Sequence, residues 1–126
     1  LDERRSRQRV DKQKLLRACH AIAAIADAIR FQWLEERLSV PRGRLRALLR
    51  QAESERLFER GENDTWRLTD LGRQRAAAIS RAQRLWALFL TEYPDSVSLF
   101  ADLDVERIDE VLPNEVVNDL EEKLRQ

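Results

Sequence analysis

Residues 34–72 read LEERLSVPRGRLRALLRQAESERLFERGENDTWRLTDLG, and this stretch decides the fold. Pro41 ends one predicted helix and suits the first turn of the next, which we place at about residues 42–55. The apolar residues of the helix at 42–55 recur at the spacing of one helical face. They are Leu45, Leu48, Leu49 and Ala52.

A hairpin and a further helix follow within the same stretch. Two short alternating runs, 57–60 and 65–68, flank the Gly, Glu, Asn and Asp of 61–64, and this pattern predicts a β-hairpin. Either Thr69 or Asp70 can cap the helix that comes next.

Outward from this stretch, the N-terminal side predicts two helices, the second of which is the one that Pro41 ends. Helical spacing of apolar residues indicates a long first helix at about 11–29 and a short second one at about 31–38. Residues 1–10 are polar and Arg-rich, which is typical of a basic linker. Three helices, a hairpin and a helix are the order of a winged helix-turn-helix. We therefore predict a winged-helix domain at 11–70, with the hairpin as wing and the third helix as recognition helix.

The C-terminal side, 71–126, is predicted to be helical. A long helix runs to about Leu90 and is followed by pieces at 97–100, 104–112 and 113–124. The predicted fold class is mostly α: a winged helix-turn-helix with a small β-hairpin wing, followed by a helical dimerisation segment.

The long helix after the hairpin carries an apolar stripe wider than one small domain needs. Wide apolar patches, when exposed, mark interfaces, so we predict a homodimer. The candidate dimerisation residues are Ile79, Ala82, Leu85, Trp86 and Phe89.

The composition indicates one folded domain and gives little support to catalysis. The chain has 126 residues, of which 43% are apolar and 37% charged, enough for a packed core. No run approaches the roughly 20 apolar residues of a membrane span. One cysteine and one histidine cannot make an internal disulfide or a Cys/His zinc site. Phosphate-binding glycine loops and nucleophile motifs are absent from the sequence, so we expect neither an enzyme nor a small-molecule substrate.

Charge is distributed unevenly along the chain. Residues 1–50 contain 13 Lys or Arg and 6 Asp or Glu, whereas residues 92–126 contain 3 and 11. A basic half predicts an anionic partner, and arginines on the recognition helix and wing suit DNA phosphates or guanine edges. An ordinary solvated helix face is the alternative. The candidate DNA-binding residues are Arg42, Arg44, Arg46, Arg50 and Arg67.

The quoted stretch resembles the DNA-binding half of the iron- and manganese-dependent repressors of the diphtheria toxin repressor (DtxR) type. Two later segments extend the resemblance. RAQRLWALFL, residues 81–90, is similar to that family's dimerisation helix, and VERIDEVLPNEVVNDLEEKL, residues 105–124, to a later conserved segment. The resemblance implies a winged-helix regulatory domain that dimerises and binds duplex DNA, with a role in transcription regulation and metal ion homeostasis.

The same resemblance implies where metal ligands would lie, and there the sequence departs from the family. The family draws its ligands from the first helix, from a His on the dimerisation helix and from a Glu-x-x-Glu-His segment. Here Lys14 and Arg17 stand in the first helix and Gln83 replaces the His. We expect no intact metal site and no required cofactor, with Mn²⁺ or Fe²⁺ bound weakly or not at all, and Lys14 and Arg17 paired with acidic remnants instead. These remnants are Asp102, Glu106, Asp109 and Glu110.

A narrower resemblance concerns RSRQRVDKQKLLRACHAIA, residues 5–23. This segment is similar to the Arg-rich juncture of metal-ion ABC transporter permeases that carry such a domain at their cytoplasmic C-terminus. The chain contains no Met, and we interpret it as a piece of a longer protein. We therefore predict a cytoplasmic regulatory domain attached to a manganese, zinc or iron permease, and so tethered to the inner face of the membrane. Two alternatives stay open: a free-standing metal-dependent repressor, and a structural dimerisation module without DNA binding.

Overall fold

The computed structural model describes residues 2–100 and 103–126, which are mostly helical with one small antiparallel sheet. They form two compact units, divided between residues 77 and 78. The part of the chain described here contains no helix long and apolar enough to cross a membrane. The elements are α1 (Asp2–Ala23), β1 (Ile29–Arg30), α2 (Phe31–Arg37), α3 (Arg42–Ser54), β2 (Phe58–Arg60), β3 (Thr65–Leu68), α4 (Asp70–Glu92), α5 (Val97–Phe100), α6 (Ile108–Val111) and α7 (Asn114–Arg125), with 3₁₀ turns at Pro94–Ser96 and Val105–Arg107.

Helix α1 both begins and ends earlier than the sequence predicts. It starts at Asp2, so the basic linker expected at 1–10 is helical over its described part. Arg and Gln are good helix formers, which allows the helix to extend through this polar stretch. Ile29, predicted as the last helical residue, instead pairs with Trp66 in the sheet and is buried. An apolar residue can satisfy helical spacing and still belong to a buried strand, so periodicity alone could not place this helix end.

Helices α2 and α3 confirm the pattern around the proline. Val40 is buried between them, and Pro41 stands at the N-terminal boundary of α3 with an extended backbone. The carbonyl of Pro41 accepts the amide of Leu45 at 2.9 Å, which starts the helix. The predicted apolar face of α3 is also confirmed, since its buried residues are Leu45, Leu48, Leu49 and Ala52.

The hairpin is confirmed and has a third strand beside it. Strands β2 and β3 are antiparallel, with Arg60 opposite Trp66. Asn63 and Asp64 turn the chain with φ values of 56° and 58°, a left-handed conformation that Asn and Asp adopt more readily than most residues. Strand β1 pairs with the other edge of β3, which gives the order β1-β3-β2. Two residues are too few to show the alternation of apolar and polar residues that marks a strand, so β1 was not predicted from the sequence.

Thr69 caps helix α4. Its hydroxyl accepts the amide of Gly72 at 3.0 Å and donates to the carbonyl of Arg56 at 2.6 Å. Gly72 lies so close to the preceding loop that a Cβ atom would overlap the carbonyl oxygen of Leu57. The Thr-x-x-Gly spacing of the sequence therefore combines a helix cap with a close backbone approach.

The second unit has a hydrophobic core of its own. The indole N–H of Trp86 donates to the carbonyl of Val105 at 3.0 Å, and the ring lies 5.8 Å from that of Phe89 in an edge-on arrangement. The pieces predicted after residue 96 are confirmed as α5, as a 3₁₀ turn followed by α6, and as α7. The buried residues of this core are Ala82, Leu85, Trp86, Phe89, Ile108, Leu112, Val117 and Leu120.

Candidate nucleic-acid interface

A cleft between α3 and the hairpin gathers three guanidinium groups. Its volume is about 410 Å³. Helix α3, predicted as the recognition helix, contributes one wall, and the hairpin, predicted as the wing, contributes the other. We call it the arginine cleft, and it is lined by Arg46, Arg50, Arg60, Gly61, Asp64 and Trp66.

Arg46 is the most constrained cation of the cleft. Its two terminal nitrogens donate to separate carboxylate oxygens of Asp64, both at 2.8 Å. Its guanidinium carbon also lies 3.7 Å from the centroid of the Phe31 ring, a cation–π contact. The hydrogen bonds to Asp64 raise the pKa of Arg46, and the same bonds lower the pKa of Asp64. Both groups are therefore charged at neutral pH, and Arg46 is held in one orientation.

Arg50 and Arg60 have looser contacts. The Nε of exposed Arg50 donates to the carbonyl of Arg46 at 3.4 Å. Arg60 lies 3.4 Å from a carboxylate oxygen of Glu53 and 5.0 Å from the centroid of the Trp66 ring. Arg60 was not predicted from the sequence. The hairpin itself was the available signal, because its register places Arg60 opposite Trp66 on the wall that faces α3.

Arg44 does not join the cleft, although it was predicted to contact DNA. Its Nε lies 3.0 Å from Oδ2 of Asp11 on α1, and Asp11 is only 5% exposed. The two atoms are in ion-pair range but are not aligned as a hydrogen bond. This side of α3 packs on α1, a contact that the sequence did not indicate, and a contact of Arg44 with DNA stays a prediction.

Arg42 and Arg67 are exposed but lie outside the cleft. Arg42 is 3.7 Å from Glu35, and its guanidinium is 5.5 Å from the Phe31 ring, which Arg46 also contacts. Arg67 pairs with Glu59 across the hairpin at 2.7 Å. Arg42 therefore extends the surface of Arg46, whereas Arg67 belongs to the face of the hairpin that carries Glu59.

The apolar stripe of α4 belongs to the hydrophobic core of the chain. The argument that its width indicates a dimer interface therefore no longer holds. The five predicted residues are each 7% exposed or less within the single chain. The stripe is wide because residues 108–120, far along the sequence, fold onto its later part. Its width is no argument for a dimer, and dimerisation stays a prediction. The residues concerned are Ile79, Ala82, Leu85, Trp86 and Phe89.

Two acidic remnants of the second unit are compensated by arginines. Asp109 lies 3.3 Å from Arg81, whose guanidinium also bonds Glu121. Glu110 pairs with Arg107 at 2.8 Å. A carboxylate with a guanidinium partner is a poor start for a Mn²⁺ or Fe²⁺ site, because a bound cation would have to displace or face that arginine.

The other positions singled out by the resemblance do not complete a ligand set. Glu106 is half-buried, Lys14 and Arg17 are exposed on α1, and Asp102 lies outside the described residues. The Oε1 of Gln83 is buried without a hydrogen-bond partner in the described part of the chain. Residues 2–100 and 103–126 contain no group of three or more His, Cys, Asp or Glu placed to hold a metal. The described residues do not fit a metal centre, and the pairing of Lys14 and Arg17 with the remnants stays a prediction.

Comparisons with known proteins find a structural neighbour and no sequence relative. No protein-family model matches the chain, and no curated protein matches it. Among solved structures it is similar to one described as the crystal structure of ScaR with bound Zn²⁺, with a TM-score of 0.58 and 17% identical residues. The match covers 90% of this chain and 53% of that chain, so this chain spans about half the length of ScaR. At this identity the likeness shows that the two chains share a fold, and nothing beyond the fold.

Proposed function

We propose that this chain is a DtxR-like regulatory domain that binds duplex DNA through α3 and the hairpin. The arginine cleft is the observation that carries the proposal. Arg42, Arg46 and Arg50 succeed one another at every fourth position of α3, a spacing that lines one helical face. In helix-turn-helix proteins the second helix of the motif enters the major groove and flanking elements contact the backbone. Arg60 on the hairpin supplies such a flanking cation.

The remaining features of the molecule fit this function. The basic N-terminal part favours a polyanion over a neutral partner. ScaR is described with bound Zn²⁺, but the compensated carboxylates of this chain lead us to propose DNA binding that metal does not switch. A homodimer is part of the proposal, since dimers read paired half-sites, and sedimentation at tens of micromolar, roughly the range of modest interfaces, tests it.

Salt dependence of DNA binding tests the proposal. Fluorescence anisotropy with a short labelled duplex should give a binding constant that falls steeply as salt rises. Arg50→Gln removes one exposed cation and should reduce the slope of log K against log salt by about 0.9. Arg125→Gln, which removes an exposed arginine of α7, is the matched control and should leave the slope unchanged. Equal slopes for the two variants would remove α3 from the interface.

One observation favours a second function, the structural module without DNA binding. Arg42, Arg46 and Arg67 each lie within 4.0 Å of a carboxylate of their own chain. Because each of these arginines already has a carboxylate partner within the chain, its charge is no argument for a polyanionic ligand. Absence of duplex binding at low salt, in a protein that is folded by circular dichroism, would establish this alternative.

We further propose that the domain is attached to a metal-ion permease and lies on its cytoplasmic side. The support is the resemblance of residues 5–23 to the Arg-rich juncture of such permeases. The complete coding sequence tests it directly. Membrane-spanning segments upstream of this chain are expected, whereas a free-standing repressor would have none.

A further inference from the structure

The arginine cleft contains an anion of its own. Of the described residues that line it, Asp64 alone is acidic. Both oxygens of its carboxylate accept hydrogen bonds from Arg46 at 2.8 Å. This two-point geometry is also the one that arginine uses for phosphate. A DNA phosphate that reaches the terminal nitrogens of Arg46 in the same way must therefore displace Asp64.

The hairpin backbone holds this carboxylate in front of Arg46. Asn63 and Asp64 both have left-handed backbone conformations, which fixes the direction of the turn. The carbonyl of Asp64 accepts the amide of Phe31 at 3.0 Å. The ring of Phe31 in turn contacts the guanidinium of Arg46. The fold of the hairpin thus fixes the backbone of Asp64 at a position from which its side chain reaches Arg46.

The other two guanidinium groups of the cleft remain open to a ligand. Arg50 donates to a backbone carbonyl and Arg60 reaches Glu53, each at 3.4 Å, longer than the bonds of Arg46. The indole N–H of Trp66 is buried and has no acceptor among the described residues. A polyanion can therefore meet Arg50 and Arg60 while Arg46 is still bound to Asp64.

We propose that Asp64 is an internal competitor of DNA phosphate for Arg46, so that tight binding requires exchange of the carboxylate for a phosphate. This inference rests on the proposed function. The side chain of Asp64 is 50% exposed and that of Arg46 is 32% exposed. Exposed ion pairs are weak, so the competition lowers DNA affinity by about two- to fivefold and is readily reversed. The effect is the same for every DNA sequence, because it acts on a phosphate contact.

The test compares two single-charge variants of the same turn. Asp64→Asn keeps the shape and the tolerance for a left-handed backbone but removes the negative charge and one of the two oxygens that accept from Arg46. Glu62→Gln is the matched control, because Glu62 is an exposed acid of the same hairpin that has no side-chain bond to Arg46. Anisotropy titrations over a salt series are expected to show Asp64→Asn binding DNA about two- to fivefold more tightly than Glu62→Gln. Its slope of log K against log salt should also be steeper by about 0.9.

The outcomes separate the competition from the proposed function itself. Equal gains in the two variants, or weaker binding by Asp64→Asn, would overturn the competition while wild-type binding upholds the DNA interface. Binding by Asp64→Asn alone would support the competition in its strongest form. Loss of all binding at low salt, in every variant, would overturn both. In an Arg46→Gln background, Asp64→Asn should gain no more than Glu62→Gln does.

Discussion

Gly72 is a residue at which close backbone packing excludes any side chain, and the sequence alone does not indicate this contact. A Cβ atom at Gly72 would overlap the carbonyl oxygen of Leu57, whereas one at Gly43 would meet nothing within 4 Å. Gly72→Ala should therefore destabilise the protein by about 1–3 kcal/mol, the usual cost of overpacking. Gly43→Ala in α3 is the matched control and should stabilise it by up to about 1 kcal/mol. Urea unfolding measures both, and equal stabilities would contradict the close approach.

Cys19 is the one thiol of the sequence, and the fold makes it unreactive. It is fully buried on α1, and burial raises the pKa of its thiol from 9.0 to about 12. Because reagents attack the thiolate, native protein at about pH 8 should be labelled only through unfolding. The raised pKa stabilises the folded state fully below pH 9.0, and this contribution is lost as the pH rises toward 12. Labelling rates should follow the unfolded fraction in urea, and fast labelling without urea would contradict the burial.

At the scale of elements, two ion pairs link α3 and the residue that follows it to α1. Arg44 lies 3.0 Å from Asp11, and Lys12 lies 2.6 Å from Glu55 at the end of α3. Arg44→Ala leaves the buried carboxylate of Asp11 without this cation and should cost about 1–3 kcal/mol. It should not change the salt slope of DNA binding, whereas Arg50→Gln should change that slope and not the stability. A flatter slope without loss of stability in Arg44→Ala would restore Arg44 as a DNA contact.

Elements with a local signal were predicted, and those defined by distant partners were not. Pro41 marks the boundary of α3, and the turn residues of 61–64 mark the hairpin, because proline and turn chemistry act within a few residues. Strand β1 exists only through its pairing with β3, whose residues Thr65 and Trp66 lie 35 and 37 positions after their partners Arg30 and Ile29. The end of α1 was misplaced for the same reason.

The residues of the candidate site also differ in whether a local sequence pattern indicates them. Arg46 and Arg50 were predicted because they follow helical spacing on α3. The ion pair of Arg44 with Asp11 was not predicted, since the spacing does not say which part of the polar face packs on α1. The pairing of Arg46 with Asp64 joins two elements, and no pattern within either element indicates it.

At the scale of the whole molecule, an amphipathic pattern shows that the apolar face of a helix is covered. It does not show which part of the chain, or which partner, covers that face. The stripe of α4 is covered within the chain, by segments that include Ile108 and Leu120 in the second unit. The sequence shows that the last helix is amphipathic, but not that its apolar face packs on α4. The uneven charge, in contrast, is a property of the sequence alone and needed no structure.

The core role of Trp86 can be tested against an exposed neighbour. Trp86 is 6% exposed and Leu99 is 74% exposed, both in the second unit. Trp86→Ala should destabilise the protein by about 3–5 kcal/mol, the cost of a large core cavity. Leu99→Ala should change stability by less than about 0.5 kcal/mol. Denaturant unfolding at several protein concentrations measures both, and a small effect of Trp86→Ala would contradict its place in the core.

The location of the DNA interface is the central claim, and amide chemical-shift mapping tests it most directly. Isotopically labelled protein is titrated with a short duplex at low salt, and the shifted amides are assigned. We expect the largest changes at residues 42–50 of α3 and residues 60–66 of the hairpin, with the amides of α7 unchanged. Changes confined to the second unit, or none at any duplex concentration, would contradict the proposed interface.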